Sequence, residues 1–445
     1  MTGHPPTKHA SVSPAPSAHS SASRALEITI RTLVFLAPAT AAAILPGVPM
    51  NATPLPYSAT LALVVMALTG LIMFRPGWRS LPDAYKIPLM GFAVLLMVMS
   101  ANLLVTENMD WGLNKWERYV RLSLMLPITV LLIHRGAQWL PWVLYGAAAG
   151  GILNMADALY EVYGMGSPIA SGSWHKIVFG DLSVLMALLS LLGLATIAQK
   201  RWEQTLCLLG ILGGTVASIL SYTRGSWLLL PLGILFLAVS LRGKAHWSLP
   251  RRVWIPVVVI FALAGGWGAQ HVKKGVAHGL SDLQAYQQDN QETSWGLRLV
   301  MWKKSWALFL QNPAIGVGLG DLNQEMAKLP ESIGGDPRLV KEFNQAHNVF
   351  FDLLATTGLI GFLVFCWVVY IAPWRLFFLA AKRADSPHQL FAAVGGQVTL
   401  FSFVVFGLSE GWPGRIAFVD TYVILLSVFL AGAAITFHPT KRQNT

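Results

Sequence analysis

The hydropathy profile constrains this chain more than any motif in it. About a dozen apolar blocks follow one another, each near the roughly 20 residues of helix that cross about 30 Å of hydrocarbon. One polar excursion, from about Gln270 to Ala346, interrupts them. A soluble chain of 445 residues would hold two or three domains, but 54% hydrophobic and 12% charged residues point to an integral membrane protein. The fold expected is all-α and polytopic, with about 12 transmembrane helices and one large loop. The net charge of +11 would suit nucleic acid, yet most Lys and Arg fall in short loops on one side, as membrane orientation requires. No nucleic-acid partner is expected.

The apolar spans are placed near 26–45, 58–74, 87–105, 120–133, 139–158, 177–198, 204–221, 226–241, 253–269, 347–372, 389–409 and 416–436. The organisation is therefore a tail over 1–24, spans over 25–269, the loop over 270–346, further spans over 347–437 and a tail over 438–445. The first tail is rich in Ser, Pro, Ala and His, cannot bury enough apolar surface to fold, and is read as disordered. An A-x-A pattern at Ala39-Thr40-Ala41 lies within the first apolar stretch instead of after it, so an uncleaved first helix is expected over a signal peptide. Cys207 and Cys366 fall inside spans as small buried hydrophobes, with no disulfide framework.

Loop charge then alternates. One side carries Arg75, Arg79 and Lys86; Arg135; Lys200 and Arg201; Arg242, Lys244, Arg251 and Arg252; Arg375, Lys382 and Arg383; and Lys441 with Arg442. The other side's short loops carry only Lys115, Arg118, Arg121, Lys176, Arg224 and Arg415. The positive-inside rule puts both termini in the cytoplasm and the long loop outside.

Within the loop, Trp295, Leu299, Trp302, Trp306 and Phe309 lie within about 40° of one helical direction, at about 100° per residue. An amphipathic helix at the membrane surface is expected there, with Lys303 and Lys304 pointing elsewhere. Asn312-Pro313 ends it, and Gly316, Gly318 and Gly320 follow in what reads as a flexible turn. That glycine run has neither the spacing nor the strand–turn–helix context of a dinucleotide fingerprint.

The residues that carry chemistry sit on the outer side. Arg224 lies in Ser221-Tyr222-Thr223-Arg224-Gly225-Ser226-Trp227, a tight turn between spans. An arginine often snorkels to headgroups, but an outer arginine above a helix N-terminus also makes a phosphate site. Arg298 flanks the tryptophan stripe, where it meets solvent, headgroups or a lipid-linked phosphate. His347 opens the span after the loop, and an imidazole titrates close enough to neutrality for a general base; a lone interfacial histidine is also commonly structural. Asp352 is an ionisable group in the upper membrane layer, there to orient a neighbour or to bind a backbone group. Glu410 and Arg415, in one short outer loop, either line the same cavity or simply pair with each other. Paired acidic ligands are absent from the motifs, so no metal and no cofactor is expected.

The order of these motifs resembles the O-antigen ligase and O-antigen polymerase superfamily. Thr-Arg-Gly-Ser-Trp is followed by Arg-Leu-Val-Met-Trp and Asn-Pro-Ala-Ile-Gly-Val-Gly-Leu-Gly. Ala-His-Asn-Val-Phe and Leu-Leu-Ala-Thr-Thr-Gly-Leu-Ile-Gly complete the set, which covers about residues 205–365. The resemblance implies a GT-C-like, metal- and nucleotide-independent glycosyltransferase in the inner membrane of a Gram-negative bacterium, working on the periplasmic face. It implies an undecaprenyl-diphosphate-linked O-antigen as donor and the lipid A–core oligosaccharide as acceptor, within a surround of membrane lipids. Arg224 and Arg298 match the family's diphosphate-binding arginines and His347 its essential histidine. Direct attack on the anomeric carbon is expected to invert it. Asp352, Glu410 and Arg415 receive no role from the family. The single late loop, with no soluble domain expected after the last span, looks most like a ligase; polymerase and protein O-oligosaccharyltransferase are the alternatives. A transporter or flippase of lipid-linked sugars is the alternative of another class, disfavoured because the spans read as almost free of charge.

Overall fold

The computed structural model describes residues 27, 28, 30–32, 64, 66–72, 74–135, 139–172, 175–244, 251–288 and 290–437. The expected tails and most of the spans expected over 26–45 and 58–74 lie outside the described residues. Among the described residues every regular element is helical. In chain order the main helices are α1 (Phe74–Ser80), α2 (Asp83–Asn102), α3 (Met109–Ser123), α4 (Met125–Arg135), α5 (Leu140–Leu159), α6 (Lys176–Thr196), α7 (Arg201–Leu220) and α8 (Arg224–Leu241). There follow α9 (Arg251–Gln287), α10 (Ser294–Gln311), α11 (Leu322–Lys328), α12 (Val349–Phe365), α13 (Ala372–Arg383), α14 (Pro387–Gly407) and α15 (Ile416–Ala434).

Seven helices among the described residues are long and apolar enough to cross a membrane: Asp83–Val105, Lys176–Thr196, Arg201–Leu220, Arg224–Leu241, Val349–Arg383, Pro387–Gly407 and Ile416–Phe437. α6 and α15 have no continuous polar face, and their most apolar windows are 100% and 94% buried, against 28% for α2 and α8. A helix without a polar face belongs in the centre, and these two form it. α5 packs on α7 through small residues: a Cβ on Gly151 would stand 2.4 Å from the Gly210 carbonyl oxygen, and one on Gly213 2.3 Å from that of Gly151. Only glycine permits that approach.

Three expected spans take a different form. The 120–133 block is divided between α3 and α4, because Pro127 offers no N–H to the turn before it and the helix breaks at Leu124. The 139–158 block is the helix α5, yet it is not among the seven apolar enough, since its last turns carry Asn154 and Asp157. The 253–269 block is the first half of α9, which continues for 37 residues, so the boundary expected at Gln270 falls inside a helix. Residues 270–287 change hydropathy but contain no proline, and helix propensity carries through. The spans are also less free of charge than expected: Asp157, Asp181 and Asp420 are buried in α5, α6 and α15. All three sit within two turns of the same end of the bundle.

The glycine run is strapped down, not flexible. α12 breaks at Gly358 (φ 63°, ψ −166°), which frees carbonyls that the strap uses. Val317 N–H donates to Ala355 O (2.9 Å), Gly318 N–H to Thr356 O (3.0 Å), and Leu359 N–H to Pro313 O (2.8 Å). Gly316 (φ 69°) has no room for a Cβ, which would meet the Thr356 carbonyl carbon at 2.4 Å. Beyond it, the Asp321 carboxylate accepts from the backbone N–H groups of Glu107 (2.8 Å) and Asn108 (2.7 Å). The strap thus ties the end of α2 to the kink in α12. The glycines are there for close backbone approach.

The loop has a core of its own. α10 buries Gly296, Val300, Met301, Lys304, Ser305 and Leu308 against Leu322, Met326, Leu329 and Val340. The packed face is therefore not the tryptophan stripe, which lies beside it, with Trp306 46% exposed. Lys304 points away from the stripe and is fully buried on the packed face; its Nζ donates to Leu329 O (3.1 Å) and Pro330 O (3.4 Å). Two carbonyls that end α11 and its turn are satisfied by an ammonium on a buried aliphatic stem.

Candidate functional site

The starts of α6, α8, α12 and α15, the end of α14 and the loop core converge at one end of the bundle. His347 sits there in the left-handed region (φ 47°), a conformation that costs a non-glycine residue roughly 1–2 kcal/mol. Its neighbours hold it. Ala346 N–H donates to the Asp352 carboxylate (3.1 Å), and Ala346 O accepts from the Trp302 indole (2.9 Å). Trp302 in turn stacks on Phe351, with centroids 5.6 Å apart. The Asn348 side chain caps α12 by accepting from Phe350 and Phe351 N–H, and donates to Leu408 O (3.1 Å). The backbone at His347 is thus pinned on both sides.

His347 Nδ1 lies 3.0 Å from Oε2 of Glu410, which is fully buried in the turn between α14 and α15. The other oxygen of Glu410 accepts from Gln345 Nε2 (2.6 Å) and Arg415 Nε (3.0 Å). Burial alone would raise the Glu410 pKa, but the His347 hydrogen bond and charge, together with Arg415, outweigh it and hold it at about 2. A carboxylate only accepts, so Nδ1 carries the proton of a neutral His347 and Nε2 keeps a free lone pair. Glu410 does pair with Arg415. It also orients the histidine.

A cluster of positive charge stands beside this pair. Arg224 is the first residue of α8 and Lys176 the first of α6. Thr223 Oγ1 donates to Lys176 O (2.8 Å), which clamps the two helix starts together. Arg298 on α10 is within electrostatic reach of Glu410, Arg224 and Asp282, and Lys176 of Arg224 and Arg298. Burial first, opposed by Glu410 and reinforced by Arg224, lowers the Arg298 pKa, although a guanidinium stays charged. Counter-charge is scarce. Among the described residues Arg224 has only Asp282, at 3.8 Å, and its buried Nη1 has no hydrogen-bond partner there. Among the described residues no carboxylate comes within ion-pair distance of Arg298 or Lys176. Cations at helix N-termini also oppose the helix dipole. The three charges, with Asp282 the one carboxylate at ion-pair distance among the described residues, make an arrangement suited to a multiply charged anion.

A cavity of about 400 Å³ opens beside His347. His347, Asp352 and Arg415 line it; Glu410 lies behind its wall. Asp352 faces Lys115 at 3.7 Å and holds Ala346, so the backbone role considered for it is the one observed. His175 also lines the cavity. Its Nδ1 accepts from Ile177 N–H (3.3 Å), and burial, then Arg415, lower its pKa against the opposing Glu410.

The structure thus brings together Arg224, Arg298, His347, Glu410 and Arg415, with Asp352 supporting the histidine. Lys176, Lys115 and His175 were missed as site residues. The one signal for Lys176 was a cation opening an apolar block on the side where cations are rare.

A family model described as O-antigen ligase matches residues 207–366. The match is consistent with a member of the O-antigen ligase and polymerase superfamily, and the family implies a glycosyltransferase-type membrane enzyme. It runs from α7 through the loop to the end of α12. It includes Arg224, Arg298, His347 and Asp352; Lys115, Lys176, Glu410 and Arg415 lie outside it. A search of curated proteins found no match.

Proposed function

We propose, from the premise of an O-antigen ligase domain over residues 207–366, that the chain transfers O-antigen polysaccharide from undecaprenyl diphosphate to a sugar hydroxyl of lipid A–core. The observation that carries this reading is the His347–Glu410 pair standing beside three cations with almost no counter-charge. A glycosyl diphosphate is already activated. What remains is to take a proton from the acceptor hydroxyl and to stabilise the departing diphosphate.

In the proposed reaction the acceptor oxygen attacks the anomeric carbon while its proton passes to His347 Nε2. The bond from that carbon to the diphosphate oxygen breaks, its electron pair leaves on the diphosphate, and the configuration inverts. Lys176, Arg224 and Arg298 hold the leaving group. A positioned base contributes about 10²–10⁴-fold, and preorganised charge in a low-dielectric site several kcal/mol more. Glu410, Gln345 and Arg415 fix the imidazole. The buried Asp157, Asp181 and Asp420 lie near the same end of the bundle, which fits an interfacial enzyme better than a conduit with charges at mid-membrane.

The test is transfer by purified protein in nanodiscs, where transport cannot be scored. With undecaprenyl-diphosphate-linked O-antigen and lipid A–core, product should form, and should form equally with excess EDTA. Activity that disappears with EDTA and returns specifically with Mg²⁺ or Mn²⁺ would show that the cations are not sufficient. Product formed only between two lipid-linked repeat units would move the chain to the polymerases, and product on a protein hydroxyl to the O-oligosaccharyltransferases.

The site end is proposed to face the periplasm, with Lys86, Arg135, Lys200, Arg201, Lys382 and Arg383 at the cytoplasmic end. Exposed Ser332 in the loop offers a check. With Cys207 and Cys366 replaced by Ser, Ser332→Cys should react with an impermeant thiol reagent on intact spheroplasts. Labelling only after lysis would reverse the topology.

A further inference from the structure

His347 lines a cavity that does not include the cation cluster: none of Lys176, Arg224 and Arg298 is in its wall. That cavity is bounded by α3, by residues 342–347, by the start of α12 and by the 411–415 turn. Its volume of about 400 Å³ falls in the range of small-molecule sites, roughly 300–1,000 Å³.

Its lining is aromatic and polar together. Trp111, Tyr119 and Phe343 are its aromatic lining, and Trp111 is 44% exposed while touching the cavity. Two buried polar atoms in the wall have no hydrogen-bond partner: Lys115 Nζ and Asn344 Oδ1. Lys115 is 3.7 Å from Asp352, too far for a hydrogen bond, and that Asp352 oxygen is already engaged by Ala346 N–H. A buried donor and a buried acceptor left unmade are costly in a resting protein. A ligand with both kinds of group would satisfy them. A sugar does so, with hydroxyls that donate and accept and an apolar ring face that lies on an aromatic side chain.

Resting on the proposed transferase reading, we infer that this cavity is the acceptor subsite, and that α3 is its recognition element. Lys115 and Asn344 hydrogen-bond hydroxyls of the acceptor saccharide, and Trp111 carries its ring. His347, shared by both compartments, receives the acceptor hydroxyl from this side and meets the donor's anomeric carbon from the cationic side. The acceptor class is a neutral, multiply hydroxylated sugar, since the charges of Lys115 and Arg415 in the cavity are balanced locally by Asp352 and Glu410.

The experiment varies lipid A–core at fixed, saturating undecaprenyl-diphosphate-linked O-antigen, with the full chain in nanodiscs. Lys115→Met and Trp111→Ala should each raise the acceptor KM about tenfold or more, the loss of one good contact. Donor Kd should stay within twofold of wild type. Lys115→Arg should recover part of the acceptor affinity. Trp111 is half-exposed, so its variant keeps the test valid if Lys115→Met fails to fold. An unchanged acceptor KM in the Trp111 and folded Lys115 variants overturns the assignment, as does a shift in donor Kd instead, which would put the donor glycan in the cavity. Both outcomes leave the transferase reading standing. Absence of any transfer by the wild type would remove that reading and this one with it.

Discussion

His347→Ala should reduce single-turnover transfer by at least about 10³-fold, with donor affinity unchanged within about twofold. The residue lies outside the cation cluster, so removing it takes away the proton acceptor and leaves the diphosphate site intact. Folding should survive, because the left-handed turn is held by Asp352, Trp302 and Asn348 and not by the ring itself. Glu410→Gln gives the paired measurement. A glutamine can still accept from Nδ1, but the charge that favours imidazolium in the transition state is gone; a drop of about 10–100-fold is expected, the size typical of a group that orients another. With its pKa held at about 2, Glu410 is ionised throughout any working pH. The sign is that of a depressed carboxylate. Its contribution to stability is complete above the unfolded value near 4.5 and is lost as pH falls toward about 2. Loss of activity on acidification above about pH 5 therefore belongs to another group. A His347→Ala variant that turns over within tenfold of wild type would take the general base out of the mechanism.

The site's chemistry was partly legible in the sequence because Arg224, Arg298 and His347 each stand in a motif and on the sparsely charged side of the spans. Their partners were harder to see. Glu410 is 63 residues from His347, and nothing local announces which carboxylate will face which ring. In the sequence Lys176 is one of the few cations of the outer short loops; the clamp from Thr223 to its carbonyl puts it beside Arg224. The glycine run reads as flexible only while the segment is treated in isolation. The loop instead folds on itself and onto the kink of α12, so a lysine can be core and glycines can be a strap. Hydropathy located the helices well but not their ends. It does not register the missing N–H of Pro127, nor that α9 can leave an apolar environment without ceasing to be a helix.

Removing a cation from the cluster should separate function from stability. Arg298 has no ion pair among the described residues and is half-buried, and burial together with the like charge of Arg224 disfavours its charge more than Glu410 and Asp282 favour it. Arg298→Gln should therefore leave the donor-free protein as stable as wild type or more so, read as an equal or higher Tm. In the same variant the rise in Tm caused by saturating donor should largely disappear. Donor Kd should increase at least tenfold, and the single-turnover rate should fall about 10²–10³-fold, the scale of losing one preorganised donor to developing charge. Arg224→Gln should behave alike in binding and rate but not in Tm, since it also gives up Asp282 at 3.8 Å. Lysine at either position should restore only part, because an ammonium cannot offer the two parallel N–H bonds of a guanidinium. Lys176→Met should cost less, about tenfold in donor affinity, since it contributes charge without a fork. The diphosphate is charged in ground state and transition state alike, so both binding and rate must suffer in the arginine variants. If Arg298→Gln lowers the donor-free Tm and leaves donor Kd unmoved, the cluster is structural. The diphosphate would then have to be held elsewhere on this face of the bundle.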